Sequence, residues 1–211
     1  SSTDVYLNKL IRYDLNVING ITSVIREQRI TDLVLGLHIK SGITESFLGY
    51  LVDEILTKNN TTTFVYKPVQ PISTIKRHII IIPKNAENEI GFPFWLQKIW
   101  NIGRNAGAKL ILYGHEKTIH EIQVKNSKHP INVEFIIFEN WDDFLVVSRD
   151  IKSDDGLIII MSREKKISYQ SNMKNVPGYL NNYFHQNSFI LVYPMQSGVE
   201  ERLNLTNPSL I

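Results

Sequence analysis

Arg77-His-Ile-Ile-Ile-Ile-Pro83 is an almost continuous apolar run of strand length, closed by a proline. A strand with one wet face alternates apolar and polar residues. A run without alternation is what a strand needs when helices cover both faces of a parallel sheet. From here the pattern keeps switching period: helix Phe94–Ala106, strand Lys109–Tyr113, helix Lys117–Asn126, strand Val133–Phe138, helix Trp141–Arg149, strand Leu157–Met161, helix Val176–His185 and strand Phe189–Tyr193. Strands regularly spaced by helices predict an α/β fold with a doubly wound parallel sheet.

Toward the N-terminus the same alternation continues in a shorter form. Asp14 or Asn16 can cap a helix running to Arg29, on which Val17, Ile18, Ile21, Val24 and Ile25 share a face. Leu33–Leu37 reads as a buried strand. Phe47, Leu48, Leu51, Val52, Ile55 and Leu56 then give a helix its apolar stripe, and Asn59-Asn60 ends it. Thr61–Pro68 is β-branched and aromatic, hence a strand. Ahead of these, the mixed run 5–13 is expected to hold an exposed strand at Lys9–Tyr13.

The two ends of the pattern echo one another. Gly49-Tyr-Leu, a helix and Thr63-Phe-Val-Tyr-Lys-Pro-Val-Gln70 correspond to Gly178-Tyr-Leu, a shorter helix and Ser188-Phe-Ile-Leu-Val-Tyr-Pro-Met-Gln196. Internal duplication divides the chain into a truncated unit at 1–70, a linker at 71–76, a complete five-strand unit at 77–196 and a tail at 197–211. The shorter unit holds counterparts of only the last strands of the longer one, so the chain is expected to begin inside a domain. Pairing through the two last strands is the simplest way to close the sheet, because a core strand without neighbours leaves backbone donors and acceptors open.

Composition removes several classes of function. With 23 basic and 21 acidic residues mixed along 211 positions, a net charge of +2 gives no field suited to nucleic acid. The absence of cysteine excludes disulfides, thiolate catalysis and cysteine-ligated zinc. No apolar run approaches the roughly 20 residues of a membrane span, and Ser1-Ser-Thr-Asp does not open a signal peptide.

Asp32-Leu-Val-Leu-Gly-Leu-His-Ile-Lys-Ser-Gly42, followed by Gly49-Tyr50, has the layout of a strand feeding a phosphate-sized loop and a helix. It resembles the signature of universal stress protein domains, whose spaced glycines bind ATP phosphates. Gly36 and Gly49 fall at the first and third glycine positions, Ile39 stands at the second, and Tyr50 replaces a Ser or Thr. The resemblance thus implies a degenerate site for ATP, AMP or another phosphate ligand at Gly36, His38, Lys40, Ser41, Gly42 and Gly49, against an ordinary solvated loop or a tight turn. In the longer unit Met161-Ser-Arg-Glu-Lys-Lys-Ile-Ser-Tyr169 has no glycines, and Pro83 ends the first strand where the stress proteins carry an aspartate.

A wider resemblance spans nearly the whole chain. Tyr66-Lys-Pro-Val-Gln-Pro-Ile-Ser-Thr-Ile-Lys-Arg77, Gly91-Phe before a Trp-containing helix, Ser162-Arg, Ile167-Ser-Tyr169 and Phe189-Ile-Leu-Val-Tyr-Pro194 are similar to the cytoplasmic C-terminal region of bacterial sodium/proton antiporters. That resemblance implies a regulatory, non-enzymatic domain on the cytoplasmic face of the inner membrane, with an upstream transmembrane antiporter domain in the same polypeptide as its partner. A homodimer is a further candidate assembly; nucleic acid is not a partner.

Other residues carry weaker chemistry. Arg163, Lys165 and Lys166, with Lys174, form a basic loop after a strand, where sheets of this class bind ligands; a solvated loop is the alternative. His115 and His120 are five apart rather than the four that places two ligands on one helical face, so no metal site is expected. The doublets Asp142-Asp143, Asp154-Asp155 and Glu200-Glu201 sit at element ends rather than in an acid–base pair. Trp95, Trp100 and Trp141 read as core or interface.

Overall fold

The computed structural model describes residues 7–37, 45–127, 131–141 and 144–197, with the side chains of 45–48 left out. Helix α1 spans Val17–Glu27, α2 Glu45–Lys58, α3 Phe92–Ala106, α4 Glu116–Asn126, α5 Phe144–Val147 and α6 Val176–Tyr183. The strands are β1 Asp32–Gly36, β2 Thr62–Lys67, β3 Arg77–Ile81, β4 Lys109–Gly114, β5 Val133–Ile137, β6 Gly156–Ile160 and β7 Ser188–Tyr193. They form one seven-stranded sheet in the order β1-β2-β7-β6-β3-β4-β5. Every neighbouring pair is parallel except β2 and β7.

The unbroken isoleucine runs go where both faces are covered. All five residues of β6 are buried, as are the last four of β3. Ile79, Ile81, Leu157 and Ile159 meet Val52 of α2, Phe144 of α5 and Leu180 of α6 on one face. Ile80, Ile82, Ile158 and Ile160 meet Trp95, Ile99 and Trp100 of α3 and Ile119 and Ile122 of α4 on the other. The last five strands therefore read β7-β6-β3-β4-β5, with helices on opposite faces either side of the β6–β3 boundary. That reversal is the switch point of a doubly wound sheet.

The exceptional pair is the one the repeat anticipates. In β2·β7, Phe64 lies opposite Val192 and Lys67 opposite Phe189, with Val65–Leu191 and Tyr66–Ile190 between them. Since Thr63 and Ser188 begin equivalent stretches, each of these pairs is the counterpart of another, which is the register of a local two-fold axis. The two last strands thus pair and continue the sheet, as expected.

Several expectations need correction. Lys9–Tyr13 is irregular rather than a strand: among the described residues no neighbouring strand satisfies its backbone, and Arg12 instead holds Glu27 at 2.8 Å and Asp14 at 3.8 Å. Asn16 is the cap, its side chain accepting from Ile18 N–H at 2.8 Å, but α1 stops at Glu27 and Arg29 turns to φ 51°. Val17 faces solvent, while Thr22 takes a buried place beside Ile18 and Ile25. β1 is an edge strand rather than a buried one, with Val34 62% exposed, because among the described residues it pairs only with β2. Over the described part of the helix expected at Trp141–Arg149, α-helix is confined to α5 and gives way to a 3₁₀ turn at Ser148–Asp150. Phe47 and Leu48 lie among the side chains outside the described set, as do Asp142-Asp143 and Glu200-Glu201.

Candidate functional site

A doubly wound sheet presents its ligand crevice at the carboxyl ends of the strands that flank the switch point. Here those strands are β3 and β6. β3 is followed by Ile82, Pro83, a left-handed residue at Asn85 (φ 65°) and the short 3₁₀ turn Ala86–Asn88, which delivers Glu89 just ahead of α3. β6 is followed by Met161 and Ser162, and the loop turns back through Ser168.

Glu89 sits in the crevice that these loops define and is 7% exposed. Its Oε1 accepts hydrogen bonds from Ser162 Oγ at 3.0 Å, Ser168 N–H at 3.2 Å and Ser168 Oγ. Its Oε2 accepts from Gln196 Nε2 at 2.7 Å. Four donors from two loops on one buried carboxylate satisfy an ionised group, since an unpaired charge in this setting would cost several kcal/mol. Gln196 also donates its backbone N–H to Asn60 O at 2.9 Å, which ties the segment after β7 to the start of β2.

Arg163 completes the arrangement. Its Nη1 donates to Leu56 O at 2.6 Å and to Asn59 O, and its Nη2 donates to Thr61 O at 2.9 Å. These carbonyls belong to the end of α2 and the turn into β2, where helix geometry leaves oxygens without an intrahelical partner. Burial pulls the guanidinium down to about 10, and the nearby Glu89 charge acts in the opposite sense. Nε is buried without a hydrogen-bond partner among the described residues. Arg163 is thus a clamp between the β6 loop and the α2–β2 corner, not a basic group open to solvent.

The other predicted residues that lie within the described set do not join it. Lys165 is exposed in a left-handed turn (φ 67°), Lys166 is half-buried and Lys174 is exposed. Gly36 and Gly49 are both exposed, and a Cβ built on either meets nothing within 4 Å among the described residues. His38, Ile39, Lys40, Ser41 and Gly42 lie outside the described residues; Tyr50 is 57% exposed. Because β2 and β7 are antiparallel, the carboxyl end of β1 lies at the opposite end of the sheet from that of β6. Gly36 and the Arg163 loop therefore lie at opposite ends of the sheet.

The far end of the sheet carries a comparable contact. Lys67 Nζ donates to His185 O at 2.9 Å after α6, as Arg163 serves the carbonyls after α2. Ser188 Oγ accepts from Val69 and Gln70 N–H at 2.8 and 3.0 Å, and Gln70 Nε2 reaches Asp154 O at 2.8 Å.

Two other clusters have structural roles. His115 caps α4 by accepting from Lys117 N–H at 3.3 Å, and its Nε2 meets Glu139 at 3.1 Å. Among the described residues, no three of His, Asp and Glu gather where a metal ion would need them. Asp155, 3% exposed, is ion-paired with Arg77 and accepts from Lys152 N–H at 2.7 Å. Trp95, Trp100 and Trp141 are all core residues. Sequence reading missed Glu89, Ser168 and Asn59 as members of a site. The available signal was the polar loop Asn85–Glu89 at the carboxyl end of the apolar strand, together with the Gln70/Gln196 echo.

The fold is that of universal stress proteins, an α/β Rossmann-like sheet flanked by helices. No family model matches the sequence, and no curated protein matches it. Several solved structures share the fold, three of which follow. The cytoplasmic domain of a prokaryotic cation chloride cotransporter aligns with TM-score 0.54 at 13% identity, over 90% of this chain and 73% of that one. A universal stress protein from Archaeoglobus fulgidus aligns with TM-score 0.52 at 10% identity, over 84% and 65%. A protein of unknown function from Pseudomonas aeruginosa aligns with TM-score 0.54 at 10% identity, over 86% and 69%. Among the described residues, no helix is long and apolar enough to cross a membrane.

Proposed function

We propose that this chain is a non-enzymatic regulatory domain of a bacterial monovalent cation/proton antiporter, carried on the cytoplasmic face of the inner membrane by the transmembrane domain of the same polypeptide. The observation that carries this reading is the filling of the switch-point crevice by Glu89 and its four donors, with Arg163 clamped beside it. Residues in the usual ligand position hold strands and loops of the chain together, which suits a part that adopts and transmits a shape. A fold shared with the cytoplasmic domain of another ion transporter supports the same reading.

Regulation then works by differential binding. An ion, ligand or neighbouring segment that prefers one arrangement of these loops biases the attached transporter, and one without such a preference shifts nothing. The reading is tested in the gene. Apolar segments of about 20 residues each are expected upstream of Ser1, and a reading frame that starts at this chain would overturn it. In vesicles, full-length protein carrying Arg163→Ala is expected to shift the pH or ion dependence of transport while transport itself persists.

Two alternatives rest on their own observations. Resemblance of fold to a stress protein favours a stand-alone tandem nucleotide binder; saturable ATP heat abolished by Gly36→Val would support it, and silence at millimolar ATP and AMP counts against it. The outer edge of β1, unpaired among the described residues, favours a dimerisation module. A solution mass that stays monomeric at high concentration removes that one.

A further inference from the structure

Glu89 is a charged side chain more than nine-tenths buried, placed where sheets of this topology receive their ligands, and all four of its donors come from elsewhere in the chain. An apolar or amide side chain would fill the same space without desolvating a charge. The donors instead match what an oxyanion demands: two hydroxyls, one backbone N–H and one amide, with a guanidinium close enough for Glu89 to act on its charge.

The segment that closes over this carboxylate is equally specific. A Cβ on Gly91 would lie 2.7 Å from Pro194 Cβ and 2.8 Å from Met195 O, so Pro194–Gln196 rests directly on the loop that carries Glu89. Gln196 fastens it at two points, by its side chain to Glu89 and by its backbone to Asn60. One hydrogen bond thus joins the β3 loop to the strap, and the next joins the strap to the start of β2.

We propose that Glu89 is a built-in guest: an autoinhibitory carboxylate that occupies an oxyanion pocket formed by Ser162, Ser168 and Gln196 and latches the strap Pro194–Gln196 shut. Withdrawal of that carboxylate leaves the same donors available to a small external oxyanion. Strap position and anion occupancy are then two readings of one equilibrium, so an anion that displaces Glu89 also acts on the β2 corner through Asn60. This inference stands independently of the transporter reading, because it concerns only contacts within the chain.

The experiment is calorimetric titration of wild type, Glu89→Ala and Glu89→Gln with inorganic phosphate and, separately, acetate, at matched ionic strength. Wild type is expected to give no saturable heat. Glu89→Ala is expected to bind at least one of the two anions about tenfold tighter or more than wild type does, and to gain thermal stability with it. Glu89→Gln, which fills the pocket without charge, is expected to stay silent. A folded Glu89→Ala without anion-dependent heat or stabilisation overturns the proposal, and so does wild type binding as tightly as the variant. If Glu89→Ala does not fold in plain buffer, refolding in phosphate or acetate is expected to rescue it, and failure with both anions equally overturns the proposal.

Discussion

Arg163 shows how far the setting of a single residue decides its role. As one of three cations in a loop it reads as a charge offered to solvent; in the structure it is turned inward onto the carbonyls of Leu56, Asn59 and Thr61. Arg163→Ala leaves those acceptors without their charged donor and is expected to cost about 2–4 kcal/mol, measured by urea unfolding. Arg163→Lys should recover only part of this, because a point ammonium cannot serve three acceptors as a planar fork does. His78 carries a second lesson. It is 1% exposed, both ring nitrogens lack a partner among the described residues, and burial pulls its pKa from 6.5 down to about 4, slightly opposed by Asp155. The unfolded chain therefore takes up a proton first as pH falls. Stability is full above pH 6.5 and declines between 6.5 and 4, by about 3 kcal/mol in all. His78→Leu should flatten that limb of a stability–pH profile, and an unchanged slope would refute the assignment. Gly156 belongs with it: a Cβ there would lie 2.4 Å from His78 Nδ1, so Gly156→Ala is expected to cost about 1–3 kcal/mol of overpacking, again read from urea unfolding.

Elements were legible where both local pattern and burial agreed. Ile79–Ile81 and Leu157–Ile160 are apolar throughout and are buried on both faces, so their place at the centre of a parallel sheet could be read directly. The Asn16 cap was also readable, because a short side chain before a helical stripe has one common use; Asn16→Ala is expected to lower stability by about 1 kcal/mol, seen as a loss of helix and a lower midpoint. Lys9–Tyr13 misled because strand propensity describes a residue's fit to a sheet and says nothing of whether a neighbouring strand exists. The Glu89 node was hidden for a related reason. Its members come from positions 89, 162, 168 and 196, and no local spacing announces a contact made by three separate turns of the chain. The Gln70/Gln196 echo marked one of them as part of a repeat, and Ser162-Arg and Ile167-Ser-Tyr169 marked two as parts of a resemblance, none of them as members of a site.

At the scale of the molecule, the repeated ends explain why seven strands form one sheet. Equivalent last strands meet about a local two-fold axis, and the symmetric register of β2·β7 follows from that equivalence. The same geometry sends the carboxyl ends of β1 and β6 to opposite ends of the sheet. Among the described residues it also leaves β1 with one neighbour and β6 with two, and amide exchange in β1 is expected to be faster than in β6 by orders of magnitude.

The central claim is that the switch-point crevice is closed from within by Glu89. Hydrogen exchange read by mass spectrometry tests it most directly, through the backbone amides of Ser168, held by Glu89, and Gln196, held by Asn60 beneath the strap. Both should be protected in wild type, and Glu89→Ala should release both together while β3 and β6 stay protected. Rapid exchange of these two amides in wild type, or protection that survives Glu89→Ala, would contradict the account.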